Sequence, residues 1–299
     1  MDTPNVEADF DFASYVARKK SGVAGERGEG YAYEGDLKVL RRMRTIKAVE
    51  VAVSQTVKLS KRVLTGQLLG TAVRVSSRQF PRIHRIVEGC AKELGIPTPN
   101  VYVVPNIAQI NAMTYGTEDE AFIIVHAATV DMLDDAELRF VIGHECGHIQ
   151  NNHVVYLTTL RVLQALLQAS LGLLGPVVLP ATMALSAWSR SAEVTCDRAG
   201  LLCCGDPDAA TRAFAKLAVG SLKLFDELDV GVYLEQLGEM REGIGRVAEL
   251  QASHPFITRR IEALRLFSES ALYRRSVGLD GGMAREELER RTEELIKVL

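Results

Sequence analysis

Apolar positions recur at helical spacing along most of the chain, and one stretch near its first third is built differently. From Asp36, Leu37, Leu40, Met43 and Ile46 follow one another on one helical face. Phe80 to Leu94 reads as an amphipathic helix, closed by Gly95 and by Pro97 and Pro99. The pattern then changes. Val101 to Val104 is a short apolar run stopped by Pro105, and Ile110 to Tyr115 and Ala121 to His126 are two more strand-like runs. The turn G-T-E-D-E between the last two predicts a hairpin. Asp134 and Glu137 stand at capping-box spacing before Leu138, Val141 and Ile142, which marks a helix start.

The remainder is helical in pattern. No charged residue occurs from Val162 to Ser189, but Gly175-Pro176 breaks that run into arms of about 157–174 and 177–188, an expected antiparallel hairpin. Each arm is marginal for spanning a bilayer. Burial in the core or in an oligomer contact is the expected role, and a monotopic membrane hairpin is the alternative. Arg190 to Cys204, Ala209 to Phe225, residues 257–273 and Arg285 to Lys297 follow as helices. Helices, a small sheet, then many helices predict an α+β fold that is mainly α. The division expected is a mobile, glycine-rich arm over 1–35, a domain over 36–270 and a charged C-terminal helix over 271–299.

Composition narrows the partners. The 299 residues are 47% hydrophobic with a formal charge of −3, which speaks against a nucleic-acid-binding protein. A cluster of Lys38, Arg41, Arg42, Arg44 and Lys47 is a solvated face or, alternatively, a peripheral contact with an anionic membrane surface. Five scattered cysteines without a C-x-x-C pair, and an acidic N-terminus without an apolar core segment, predict a reducing compartment and no secretory signal, hence a cytoplasmic protein.

The chemistry is concentrated in two motifs. His144-Glu145-Cys146-Gly147-His148 is H-E-x-x-H, which on a helix puts two imidazoles on one face. They can reach one metal, with Glu145 beside them to take the proton of a bound water, and Gly147 leaves room around the ion. Glu193 and Asp197 form E-x-x-x-D one helical turn apart. Glu193 can be the third ligand, while Asp197 accepts the N–H of a ligand histidine. Cys146 and Cys196 read as small packed residues, with a thiolate near the metal as the alternative, and Cys203-Cys204 reads as core. His153, five residues after His148, falls off the metal-facing stripe and reads as a solvated side chain. His84 reads as a surface residue, and His126 as structural or lining the cleft.

H-E-C-G-H-I-Q-N-N-H followed by W-S-R-S-A-E-V-T-C-D-R-A-G resembles the HtpX and CAAX-prenyl-endopeptidase type of zinc metallopeptidase, a branch of the gluzincins. G-I-P-T-P-N-V-Y-V-V, Asn111-Ala112-Met113 and Ser253-His254-Pro255 with Arg260-Ile261 extend the likeness over about 79–266, with Met113 replacing the family's aromatic residue. The resemblance implies a zincin-like domain and one Zn2+ per chain held by His144, His148 and Glu193, with Glu145 as general base. It further implies that Asp197 orients His144 and that His254 donates to the developing oxyanion. A peptide or protein substrate would then lie as an extended strand along Ala108 to Tyr115, met by Asn111, Ala112 and Met113. The function expected is a metalloendopeptidase with gated access, Asp226 to Ser253 supplying a lid and His254 able to take the open metal position. The alternatives are a catalytically silent metal-binding protein and a membrane-associated peptide-binding module.

Overall fold

The computed structural model describes residues 28–43, 46, 49, 51–56, 70–116, 120–169, 175–239 and 257–296, without the side chains of 28, 29, 177 and 236–239. A four-stranded mixed sheet lies among helices. Its strands are β1 (Val73–Arg74), β2 (Asn100–Val104), β3 (Ala112–Tyr115) and β4 (Phe122–His126), in the order β1-β2-β4-β3. β1 runs antiparallel to β2, β2 parallel to β4, and β3 antiparallel to β4 with Thr114 opposite Ile123. The expected hairpin is present, and β3 is an edge strand, shorter than the run expected from Ala108.

Before β1 come α1 (Gly28–Tyr31) and α2 (Glu34–Met43), and 51–56 is also helical. α3 (Pro81–Leu94) starts on a proline and ends at Gly95, whose φ of 66° suits a residue without a side chain. After β4, α4 (Ala127–Met132) leads to α5 (Asp135–Gln150). Both bonds of the α5 capping box form, and Glu137 is fully buried against Lys216 and Arg212 of α8 (Pro207–Val219). α6 (Val154–Ala169) and α7 (Gly175–Cys204) make the hairpin. α7 is one helix of 30 residues, so the second apolar arm and the E-x-x-x-D motif share one rod. Pro180 stands in its second turn, where only one backbone bond is lost. α9 (Leu222–Phe225), α10 (Val230–Glu239), α11 (Ile257–Ser268), α12 (Ala271–Ser276) and α13 (Arg285–Ile296) complete the chain.

The core has two parts. One joins the sheet to α3, α5, α8 and α11 through Ile123, Val125, Leu138, Phe140, Phe214 and Phe267. The other joins the hairpin to α2 through Leu40, Met43, Leu157, Leu160, Leu185 and Trp188. The base of the hairpin is therefore core, while Leu166, Leu179 and Met183 nearer its tip are exposed. Among the described residues no helix is long and apolar enough to cross a membrane.

The expected N-terminal arm differs from the structure, while the charged C-terminal helix is present as α13. Tyr31, Ala32 and Tyr33, counted with the arm, are buried, and the Tyr33 N–H donates to Thr195 Oγ1. Glycine density near residue 30 hides two aromatic anchors. In α13, Leu288 and Thr292 are fully buried and Glu289 pairs with Arg198 of α7, so the charged helix packs on the rest of the molecule.

Candidate metal and active site

α5 and α7 pack along one another because three glycines line the contact. A Cβ at Gly143 would lie 2.6 Å from Cys203 Cβ, one at Gly147 2.7 Å from Ala199 Cβ, and one at Gly200 2.7 Å from the Phe140 carbonyl oxygen. Gly147 therefore serves the helix crossing, and the clearance it gives is to α7 instead of the expected metal position. The close approach brings the two motifs together. Nε2 of His144 and Nε2 of His148 are 3.2 Å apart. Glu193 Oε2 is 3.5 Å from the first and Oε1 3.6 Å from the second. Zinc bonds of about 2.0–2.1 Å in a tetrahedron separate donors by roughly 3.3 Å, so this set fits one ion.

The remaining atoms of these side chains are directed elsewhere. His144 Nδ1 is 2.9 Å from Asp197 Oδ1, which keeps the proton on Nδ1 and the lone pair on Nε2. Arg260 of α11 grips Asp197 with Nε at 2.8 Å and Nη2 at 2.6 Å, and its Nη1 is 3.0 Å from Glu193 Oε2. Burial opposes charge on His144, yet the Asp197 hydrogen bond and the Glu193 and Asp197 charges hold its pKa above the ordinary value. Burial also opposes charge on Arg260, and the same two carboxylates outweigh it. His148 goes the other way: burial first, then the His144 charge, push its pKa well down.

Glu145 is buried beside this cluster, and Thr114 Oγ1 of β3 donates to its Oε2 at 2.6 Å. β3 is in turn held by α6. Arg161 donates to the Thr114 carbonyl and lies 4.5 Å over the Tyr115 ring, and the Gly116 N–H donates to Thr158. Asn111 precedes β3. Its N–H donates to Thr129 Oγ1, and its carbonyl accepts from Thr129 Oγ1 and the His126 N–H. Ala112 and Met113 are half-buried in the edge strand. His126 is buried with Nδ1 2.9 Å from the Gln109 carbonyl, a structural placement, and His84 is on the surface 3.4 Å from Glu88. His254 and the lid segment from 240 on lie outside the described residues.

His153 is the clear departure. It is fully buried, with Nδ1 3.3 Å from His148 Nδ1. Its expected place assumed that α5 continues, whereas the helix ends at Gln150 and Asn152 takes a left-handed φ of 57°, turning the chain back beneath His148. Cys196 is buried as expected, but its Sγ is 3.1 Å from His148 Nδ1. Cys196, His148 and His153 are thus a second close donor set, one that shares His148 with the first. Two other contributors carried little signal in sequence. Arg260 is the arginine of the H-P-x-x-x-x-R-I match, while Thr114 stands in no motif.

The model of peptidase family M48 matches residues 77–267. This chain belongs to peptidase family M48. Among curated M48 relatives, it is 31% identical over 234 residues to the plastoglobule-localized metallopeptidase 48 of Arabidopsis thaliana, covering 72% of this chain and 65% of that protein. It is 26% identical over 228 residues to a protease HtpX homolog of Aquifex aeolicus, covering 64% of this chain and 74% of that one. The crystal structure of S. mikatae Ste24p compares at TM-score 0.47 and 17% identity, over 84% of this chain and 64% of that one. The first of these relatives is named a metallopeptidase and the second a protease, and this chain spans just under two thirds of the length of the first.

Proposed function

We propose that this chain is a zinc-dependent endopeptidase with His144, His148 and Glu193 as ligands and Glu145 as general base. The observation that carries this reading is the spacing of the three donors, at 3.2 to 3.6 Å, with each ring presenting Nε2 to the shared point. When bound, zinc supplies Lewis-acid polarisation of the scissile carbonyl and a water acidic enough to attack it at neutral pH. Glu145 receives the proton of the attacking water and returns it to the nitrogen of the leaving amine as the C–N bond breaks. The Thr114 hydroxyl occupies Oε2 and orients the carboxylate. Asp197 and Arg260 hold His144 and Glu193 in place. The substrate lies as an added strand on the open edge of β3, with Asn111, Ala112 and Met113 at the start of that track. His254 supports the oxyanion, and the segment 226–253 gates access.

Metal analysis with casein hydrolysis tests this directly. The expected result is one zinc per chain, activity abolished by chelator, and Glu145→Gln retaining zinc while losing about 10²- to 10⁴-fold in kcat. A His144→Ala/His148→Ala double variant that keeps its zinc would sink the ligand assignment. Glycine substitutions within 226–253 are expected to raise hydrolysis at equal zinc content, and equal activity counts against gating there.

A further inference from the structure

Asp36 is a fully buried carboxylate with a dense set of partners. Trp188 Nε1 donates to its Oδ1 at 2.8 Å, and Thr195 Oγ1 donates to its Oδ2 at 2.7 Å. His153 Nε2 stands 3.1 Å from the same Oδ2, its N–H lying off the line to that oxygen, so this contact is that of an N–H dipole beside a carboxylate and not a linear hydrogen bond. Burying a carboxylate is unfavourable by several kcal/mol unless it is paired and hydrogen-bonded. Nothing in the hydrophobic packing of α2 calls for one at this position. Asp36 also lies outside the region matched to the M48 model, which begins at residue 77.

The protons can be placed by elimination. A His148 that offers the Nε2 lone pair to a metal must carry its proton on Nδ1. Two groups face that N–H: His153 Nδ1 at 3.3 Å and Cys196 Sγ at 3.1 Å. A thiol sulfur is a weak acceptor, whereas a ring nitrogen is a good one. For His153 to accept through Nδ1 its own proton must sit on Nε2, the nitrogen beside the Asp36 carboxylate. Each placement requires the next.

We propose that Asp36 and His153 are positioning residues of the metal centre, Asp36 fixing the His153 tautomer and His153 fixing the ring of His148. The site is then braced symmetrically: Arg260 and Asp197 behind His144, Asp36 and His153 behind His148. The second brace comes from α2 and from the turn after α5. Trp188 completes it, its ring 5.2 Å edge-on from the His153 ring. This inference rests on the zinc reading above.

The test is zinc affinity of the full chain by chelator competition, in the wild type and in His153→Ala, His153→Gln, Asp36→Asn and Cys196→Ala. His153→Ala and Asp36→Asn are expected to weaken zinc binding about 10- to 100-fold. His153→Gln should recover most of the loss, because its amide oxygen can accept from His148 Nδ1 while its NH2 faces Asp36. A merely structural role would not distinguish glutamine in this way. Cys196→Ala should bind zinc like the wild type. Unchanged affinity in His153→Ala overturns the inference, as does a Cys196→Ala loss equal to that of His153→Ala. If Asp36→Asn fails to fold, the His153 pair still decides. A wild-type protein that binds no zinc overturns the zinc reading itself and this inference with it, which separates the two failures.

Discussion

Arg260 shows how much of the site's order depends on a side chain that touches neither of its histidines' metal-facing atoms. Its guanidinium is shared by two buried carboxylates, Asp197 and Glu193, and lies 4.9 Å over the Phe214 ring. Arg260→Ala takes the guanidinium away from both, and removing one partner from buried ion pairs is expected to cost about 3–5 kcal/mol. The cost should be larger in chelator than with zinc present, since a bound cation offsets the same charges. Denaturant midpoints measured in both conditions check this, and an equal shift in both would contradict it. Arg260→Lys should fall between, because an ammonium cannot reproduce the two-pronged grip on Asp197. A second residue-scale expectation concerns the adjacent cysteines. Burial, the largest cause, pushes the Cys204 thiol up to about 11. At pH 8 its thiolate fraction, and so its reaction with a disulfide reagent, should be about 100-fold below that of an ordinary thiol of pKa 9.0. Rapid labelling of the folded protein at Cys204 would refute the packing role.

At the scale of elements, the decisive event is the crossing of α5 and α7. H-E-x-x-H and E-x-x-x-D are far apart in sequence, and each can be read on its own helix. Whether they meet depends on Gly143, Gly147 and Gly200, which let the helices approach. Gly200 is the least forgiving, because an added Cβ would meet the backbone oxygen of Phe140. Gly200→Ala is therefore expected to destabilise the fold by about 1–3 kcal/mol or more and to lower zinc occupancy as Glu193 is displaced from the histidines. Thermal denaturation with metal analysis would show both effects together, and loss of neither would mean the helices can shift freely. The hairpin is explained at the same scale. Leu157, Leu160, Leu163, Leu185 and Trp188 are buried against Leu40, Met43, Val49 and Val53, so the base of the hairpin serves a core. The purified protein is expected not to float with anionic vesicles; flotation that weakens with salt would instead favour membrane contact through the exposed tip.

Across the whole molecule, both described ends of the chain close on α7. Arg198, next to Asp197, donates from Nη1 to the Tyr31 carbonyl at 3.1 Å and to Glu289 Oε1 at 2.7 Å, and from Nη2 to Thr292 at 3.3 Å. Burial lowers its pKa, and Glu289 works against that shift. Glu289→Ala leaves the buried guanidinium without its counter-ion and should cost about 3–5 kcal/mol. Glu289→Gln should cost less, because the side-chain oxygen remains as an acceptor. Equal stability of all three proteins in urea would show that α13 is docked without contributing.

The sequence alone determined the elements that depend on local chemistry. The Asp134 capping box, the Gly95 stop, the β3–β4 hairpin and the i, i+4 spacing of His144 and His148 are short-range features, governed by backbone sterics and helix periodicity. Arrangements made by residues distant along the chain were decided by tertiary structure. Thr114 reaches Glu145 because the sheet edge lies against α5, and Arg260 reaches Asp197 because α11 lies across α7. The clearest case is His153. Read along a continuing helix it points to solvent, but one left-handed residue at Asn152 turns it under His148, where Asp36 of α2 meets it. Periodicity describes a side chain only while its helix lasts; beyond that turn, packing decides which groups are buried and which partners they find.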